Sequence, residues 1–343
     1  MTPTYESYLQ ALSNADNVTA VEVLEDALEL GKAPKELLLD VLIPGQREVG
    51  RLWMNGTWSV ADEHAATAVA EQALTVVAPP RRSAPTARRI ALACAEGEWH
   101  TMPARLAAEL ARTSALDVVM LGPSIPATHL QRYLRAASPT ALALSATMPT
   151  NLIGASRSIQ AARAEGIPVL VGGAAWGVGQ HRAHRLGADL HVEDPQSLSL
   201  VIDELDQLEG PPPALAAHPI PAEALLLDAP EPGLLAMVLE RQSAGNAWMR
   251  SMTGYQRDQA RQDLGWLARF TAASVACDDP TIVRDLLSWQ LALLVPLGVP
   301  AAAIIDSCSY LADAIDEQAP TAASILRREA QRAQHAPASD LSS

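Results

Sequence analysis

The sequence predicts an α/β core flanked by two all-helical segments. Three observations predict it. Apolar residues recur with a helical period over residues 1–80, give way to short apolar runs alternating with amphipathic stretches over 88–209, and return to the helical period over 222–335. Proline-rich stretches mark the joints, one from Pro79 and Pro80 through Arg89, the other over 210–221 with Pro211, Pro212, Pro213, Pro219 and Pro221. At 343 residues the chain is long enough for two or three domains.

The first segment reads as a four-helix bundle. Tyr8, Leu9 and Leu12, then Val21, Val23, Leu24, Ala27 and Leu28, fall on helical faces. Thr19-x-x-Glu22 has the pattern of a capping box, and Gly31 stands where a left-handed cap is wanted. A third helix covers Pro34 to Met54, with a bend predicted at Pro44-Gly45. Asn55-Gly56 stops it, and Ser59-x-x-Asp62 starts the fourth.

In the middle segment the runs Ile90–Ala95, Leu116–Leu121, Ala141–Ser145, Pro168–Val171 and Asp189–Val192 predict five strands separated by helices. That pattern implies a Rossmann/flavodoxin-like five-stranded parallel sheet. Such sheets bind ligands at the carboxyl ends of their strands, so the loops after Ala95, Leu121, Ser145 and Val171 should carry the chemistry. In the last segment, helices are expected over Leu234–Met252, Gln256–Cys277, Thr281–Leu294, Pro300–Glu317 and Pro320–His335, with a frayed tail of eight residues. No internal repeat is visible.

Composition excludes several classes. Lys+Arg 25 against Asp+Glu 39 gives a net charge of −14, which repels a phosphate backbone. No basic run precedes the first helices, so no nucleic-acid partner is expected. The N-terminus lacks a signal-peptide pattern and no apolar run could span a bilayer, so no membrane contact and a cytoplasmic location are expected. Cys94, Cys277 and Cys308 are too scattered for a disulfide framework. Seven of the aromatics are Trp and only one is Phe, more indoles than a core of Ala, Leu and Val requires, so some are candidates to contact a flat ligand.

The loop Glu96-Gly97-Glu98-Trp99-His100-Thr101-Met102-Pro103 puts an imidazole just past the first strand, with Glu98 able to orient it. Alone, an isolated His near a helix start is more often an ordinary surface residue. Ser145-Ala146-Thr147 supplies hydroxyls after the third strand, and Gly172-Gly173 after the fourth lets a backbone approach a ligand closely. Upstream, Trp53 is followed by nine residues and then Glu63-His64. An aromatic platform suits a purine and a carboxylate suits a ribose diol. The plainer alternative puts Trp53 in the core and Glu63-His64 on a solvated face.

Taken together, Glu98-x-His100, Ser145-x-Thr147, Gly172-Gly173 and the run Leu121 to Pro126 resemble the cobalamin-binding domain of the corrinoid proteins. That resemblance implies that His100 is the lower cobalt ligand, replacing the cofactor's own base. It further implies that Glu98, Trp99, Ser145, Thr147, Gly172, Gly173 and Trp176 line the cofactor. Pro103 departs from the motif, which closes with Gly. Val49-Gly50-Arg51-Leu52-Trp53, Gly56 and Glu63-His64 resemble the cap of CarH-type cobalamin photoreceptors. By that resemblance Trp53 packs on an adenosyl group, Glu63 bonds its ribose and His64 completes the pocket. Met54 stands where those proteins have a histidine, and a thioether is a poor ligand for oxidised cobalt.

The last segment has no His between His218 and His335, so a globin haem lacks its proximal ligand. Asp278-Asp279-Pro280, Trp289 and Gly298-Val299-Pro300 resemble the globin-like domain of photocobilins, receptors that pair cobalamin with biliverdin. Candidates for a bilin are Asp258, Asp278, Asp279, Arg250, Arg257 and Arg261, with Trp248, Trp266 and Trp289 as stacking surfaces. Cys277 or Cys308 could form a thioether to it. The expectation is a light sensor rather than an enzyme, binding adenosylcobalamin and biliverdin. It is expected to form a homodimer or a light-dependent oligomer that signals to a downstream partner the sequence does not name. The rivals are a corrinoid methyl carrier or methyltransferase subunit, and a simple cobalamin-binding module.

Overall fold

A computed structural model describes residues 2–78, 88–114, 116–198, 200–202 and 218–335. The first linker (79–87), most of the second and the last eight residues lie outside them. The chain divides into two compact units: Met1–Thr147 with Ala161–Gly173 and Asp189–Pro213, and Met148–Gln160 with Ala174–Ala188 and Ala214–Ser343.

The first unit opens with helices α1 (Pro3–Ser13) and α2 (Asn17–Glu29). The cap of α2 differs from expectation. Asp16 accepts from the backbone of Val18 and Thr19, and Thr19 spends its own hydroxyl on Asp16 at 2.7 Å. Both spacings fit the sequence rule, and the carboxylate one turn earlier starts the helix. Gly31, at φ +88°, ends it as expected.

Residues 34–54 form one helical run made of α3 (Pro34–Leu37), a π-helical turn (Leu38–Leu42) and α4 (Ile43–Met54). Pro44 cannot donate to the turn before it, and the wider turn absorbs that loss: the Ile43 amide bonds back to Leu38. Gly45 is required by contact, because a Cβ there would lie 2.8 Å from the Tyr8 ring. Helix α5 (Val60–Val77) starts on the Ser59/Asp62 capping box. Tyr8, Leu12, Leu24, Leu38, Val49, Val69 and Leu74 share one core, and Trp58 packs against it.

Strands β1 (Arg89–Cys94), β2 (Asp117–Gly122), β3 (Ala141–Ser145), β4 (Val169–Gly172) and β5 (Leu190–His191) form one parallel sheet in the order β2-β1-β3-β4-β5. Every pairing is parallel, and the order reverses between β1 and β3. Cys94 pairs with Ser145 and Ser145 with Gly172, so the first, third and fourth strands end level. A crevice forms outside the strand ends where such an order reverses.

Helix α6 (Met102–Thr113) joins the sheet to the preceding helices. Its larger residues Met102, Leu106 and Leu110, spaced by one turn, enter the core of α1 to α5. Its small residues Ala104, Ala108 and Ala111 enter the core on the sheet, with Ile90, Leu92 and Leu170. Helix α7 (Ala127–Ala137) follows β2.

The second unit contains part of α8 (Leu152–Arg163), the short α9 (His181–Leu186) and seven further helices. These are α10 (Ala222–Asp228), α11 (Pro232–Gly245), α12 (Ala247–Arg250), α13 (Gly254–Cys277), α14 (Thr281–Leu294), α15 (Ala301–Ile315) and α16 (Pro320–His335). The helix expected over Leu234–Met252 is two, because the Asn246 side chain caps a new start by accepting from Trp248 and Met249. Buried Gln242 ties α11 to α15, donating to the Ala303 carbonyl at 2.6 Å and the Ser307 hydroxyl at 3.0 Å. Among the described residues no helix is long and apolar enough to cross a membrane.

Candidate functional site

The site is built where the sheet order reverses, on the loop between β1 and α6. Gly97, at φ +91°, turns the chain so that Glu98 points inward and Trp99 outward. The Glu98 side chain is fully buried and Trp99 is 72% exposed. A buried carboxylate is costly unless every lone pair is used. Here the Glu98 carboxylate accepts from the His100 backbone (2.9 Å), from His100 Nδ1 (2.5 Å) and from the Thr147 backbone beyond β3 (2.6 Å). The loop is braced from β2 as well: Gly97 N donates to Ser124 Oγ, Ser124 N to the Glu98 carbonyl, and Ala127 N to the Glu96 carboxylate.

Facing a carboxylate, Nδ1 of His100 must carry the proton, which leaves the Nε2 lone pair on a side chain that is 54% exposed. The Glu98 hydrogen bond raises the His100 pKa above its ordinary value; burial opposes this, and the charges of Glu98 and Glu63 add to it. That last contribution brings two motifs together. Glu63 on α5 and His100 on the sheet, separate in sequence, lie within electrostatic reach of each other.

On α5, Glu63 accepts from the Thr67 hydroxyl at 2.9 Å and faces His64 Nδ1 at 2.8 Å. His64 Nδ1 also meets the Val60 carbonyl at 2.8 Å, so it too is the protonated nitrogen, and the ring is 74% exposed. Trp53, half-buried, stands near the end of α4; Trp58 is the indole that packs on the core. Thr101 and Arg105 on the sheet side both reach Glu71 on α5, the pair Arg105–Glu71 at 3.3 Å.

Other expected residues are placed less simply. Ser145 is buried at the end of β3, and the Thr147 hydroxyl is buried without a partner among the described residues. Gly173, at φ +104°, is required by the fold, because any Cβ there would be driven into the Ala146 carbonyl. Trp176, in the second unit, is completely sealed from solvent, and its indole N–H has no partner among the described residues. Pro103 sits in the first turn of α6, where a missing N–H costs nothing.

The bilin candidates do not form one site. Arg257 and Arg261 lie in the first turns of α13 and Asp278 caps its other end. At the helical rise that separates them by about 25–30 Å. Their polar groups are engaged locally: Arg250 donates to the Ser243 and Ala244 carbonyls, Arg257 to those of Met252 and Arg250, and Arg261 pairs with Asp258. Asp279 is held by Arg182 at 2.8 Å and by Thr281. Trp266 carries Arg269 over its ring at 5.6 Å and packs edge-on to Phe270, while Trp248 and Trp289 are half-buried. Cys277 and Cys308 are buried, with thiols pushed up to about 12 by desolvation, so neither offers the thiolate that a thioether needs. Asp278 therefore lies too far from Arg257 and Arg261 to hold the same end of one tetrapyrrole with them.

A corrinoid is a different matter. One imidazole is too few ligands to hold a bare metal ion, and suits a metal whose equatorial positions a macrocycle already fills. The locked Nδ1 and open Nε2 of His100, and the unpaired Thr147 hydroxyl beside it on the same strand ends, fit such a group. Of the residues the sequence singled out, the structure joins Glu98 to His100, brings the charge of Glu63 to bear on that ring, and places Trp53 near the end of α4. Sequence reasoning missed Gln46, Thr67 and Glu71; only the four-residue spacing of Glu63 and Thr67 on one helix face could have signalled any of them.

Comparison with known proteins agrees with that chemistry. Residues 4–78 and 88–198 each match a family described as a B12 binding domain. Residues 4–198 thus carry a pair of B12-binding domains, which places the chain among the cobalamin-binding proteins. It is 32% identical over 182 residues to the HTH-type transcriptional repressor CarH of Myxococcus xanthus, covering 50% of this chain and 57% of that one. It is 26% identical over 191 residues to trimethylamine corrinoid protein 1 of Methanosarcina acetivorans, covering 53% of this chain and 88% of that one. In fold it is similar to the monomethylamine corrinoid protein of Methanosarcina barkeri, with a TM-score of 0.52 at 18% identity over 59% of this chain and 98% of the other.

Proposed function

We propose that the protein is a light sensor, not an enzyme, that binds adenosylcobalamin with His100 as lower axial ligand. The observation that carries this reading is the placement of Glu63. Glu63 lies on α5, the helix that Thr101 and Arg105 next to the His100 loop reach through Glu71, and its charge acts on His100, which supports reading the two motifs as parts of one site. The identity to a CarH repressor over the same region supports it.

When bound, the cofactor supplies a cobalt–carbon bond that visible light cleaves. The protein's part is to hold and to report. Glu98 fixes the imidazole tautomer so that Nε2 faces the metal. Trp53 stacks on adenine, and Glu63 accepts from the ribose hydroxyls. On illumination Trp53 and Glu63 lose their partner, and α4 and α5 shift against α6, restrained by the Glu71 contacts to Arg105 and Thr101. That shift alters a self-association surface, so the oligomeric state changes with light. Met54 offers no imidazole at that position, so either His64 or water would have to take it.

The test is reconstitution in the dark with adenosyl- or methylcobalamin, followed by green light and sedimentation. Preference for the adenosyl form, bleaching and a light-dependent change in sedimentation are expected. H100A should lose the axial nitrogen and bind weakly; undiminished uptake and photochemistry in H100A would falsify the proposal. A biliverdin chromophore on the C-terminal helices is a separate proposal that rests on the photocobilin resemblance. A red absorption band after expression with both pigments supports it, and corrin bands alone reject it.

A second reading, a corrinoid methyl carrier, is favoured by the match over 88% of a trimethylamine corrinoid protein. It predicts no preference for adenosyl over methyl, because a carrier's upper face must open to a methyl donor.

A further inference from the structure

We infer that Thr67 and Gln46 are positioning residues that hold the Glu63 carboxylate in place for the adenosyl group. The inference rests on the reading of Glu63 as part of the adenosyl cap. It names two residues that no motif assigns.

The geometry forms a directed chain. Gln46 on α4 donates its side-chain amide to Thr67 Oγ1 at 3.1 Å, across 21 positions of sequence. Thr67 Oγ1 donates to Glu63 Oε1 at 2.9 Å, one turn back along α5. A hydroxyl has one proton. An amide N–H₂ can only donate, and a carboxylate can only accept. Once Gln46 donates into Thr67, the Thr67 proton has Glu63 as its acceptor.

Two features make this more than an ordinary helix contact. A threonine inside a helix usually returns its proton to a backbone carbonyl one turn earlier, and Thr67 gives it instead to a side chain. Gln46 also leaves its own Oε1 buried without a partner among the described residues. Only the amide nitrogen, as a donor, leaves the Thr67 proton for Glu63. His64 Nδ1 meets the other carboxylate oxygen at 2.8 Å. Thr67 thus fixes one oxygen of Glu63, and less side-chain freedom has to be lost when a ligand arrives.

The adenosyl group is the part of the cofactor that Glu63 would touch, so the readout is a selectivity. The apoprotein is titrated in the dark with adenosylcobalamin and with methylcobalamin, and the ratio of the two affinities is compared among variants. T67V keeps the shape and removes the hydroxyl; the ratio should fall about tenfold, with methylcobalamin binding unchanged as the control for folding. T67S restores the hydroxyl and should restore the ratio. Q46L leaves Thr67 without its donor and should lower the ratio about threefold, and it carries the test should T67V fold poorly.

E63Q separates the inference from the reading beneath it. Should E63Q lose the adenosyl preference while T67V and Q46L keep it within twofold, the positioning role is overturned and the cap reading stands. Should E63Q keep the preference, both are overturned.

Discussion

The polar side chains around His100 and the arginines that are candidates for a bilin are used in opposite ways. Around His100 the polar groups reach far along the chain: Glu98 bonds the Thr147 amide 49 positions away, and Gln46 bonds Thr67 across 21. On the C-terminal helices the candidate arginines reach only their neighbours, with Arg250 and Arg257 binding carbonyls five to seven positions back. A group fixed by distant parts of the fold has been placed by topology, and topology is what builds a concave site. A group that caps the adjacent helix end is accounted for by the helix alone. The comparison teaches that a spaced motif survives folding when its members sit on converging elements. A set of suitable residue types gathered along one helix does not.

The contrast is most easily broken at Glu98. Replacing it with alanine strands the His100 Nδ1–H and two backbone amides, those of His100 and Thr147. Loss of about 3–5 kcal/mol of stability is expected in urea unfolding of the apoprotein. A cost under about 1 kcal/mol would mean that the carboxylate is not the pivot of this loop. Gly173→Ala is the next largest, because the substitution adds a Cβ at φ +104° against the Ala146 carbonyl. About 2–3 kcal/mol should be lost. Full stability in that variant would show that the β3 and β4 loops separate freely.

Much of the fold could be read directly, and the reasons are physical. Parallel strands buried on both faces appear as unbroken apolar runs, which is why β3 begins and ends where the run Ala141–Ser145 does. The Ser59/Asp62 box holds because serine and aspartate reach each other's backbone with no help from elsewhere. Where two local signals compete, sequence does not decide between them: Asp16 and Thr19 both suit a cap, and the hydroxyl turns out to serve the carboxylate. In the site, Glu98-x-His100 was legible because the pair is local. The Thr147 contact and Gln46 were not, since the first depends on strand order and the second on the register of α4 against α5. The break at Asn246 was hidden because periodicity continues across it while one side chain restarts the helix.

Acid and base separate the two regions in a second way, with a smaller effect. Burial pushes the Asp279 carboxyl up, but hydrogen bonds from Thr281 and Arg182 outweigh it and hold the group below the ordinary carboxylate range. A lowered folded pKa contributes stability above the unfolded value near 3.9, and that contribution is lost as pH falls through the depressed value. Asp279→Asn should therefore cost about 1–2 kcal/mol at neutral pH, with the gap to wild type closing below about pH 4. His100 has the reverse sense: its raised pKa stabilises the apoprotein below the ordinary histidine value near 6.5, and the contribution fades as pH rises through the folded value. Urea unfolding of Asp279→Asn and His100→Gln across pH 3 to 9 checks both signs. A gap for Asp279→Asn that widens in acid contradicts the assignment of its carboxylate to Arg182 and Thr281.

The smallest expected effect sharpens the comparison most. Arg261 and Asp258 pair at 3.0 Å on an exposed turn of α13, with both side chains largely in water. Such a pair is screened by salt and loses side-chain entropy on forming, so Arg261→Ala should change stability by no more than about 0.5 kcal/mol. It should also leave every pigment band in place, because the arginine has a local partner and Asp278 lies at the far end of the helix. If Arg261→Ala instead removes a red absorption band from protein expressed with biliverdin, then α13 carries a bilin through its first turns alone. Locally paired charges would then be no guide to where a chromophore sits, and the distinction between the two regions would have to rest on something other than the reach of their hydrogen bonds.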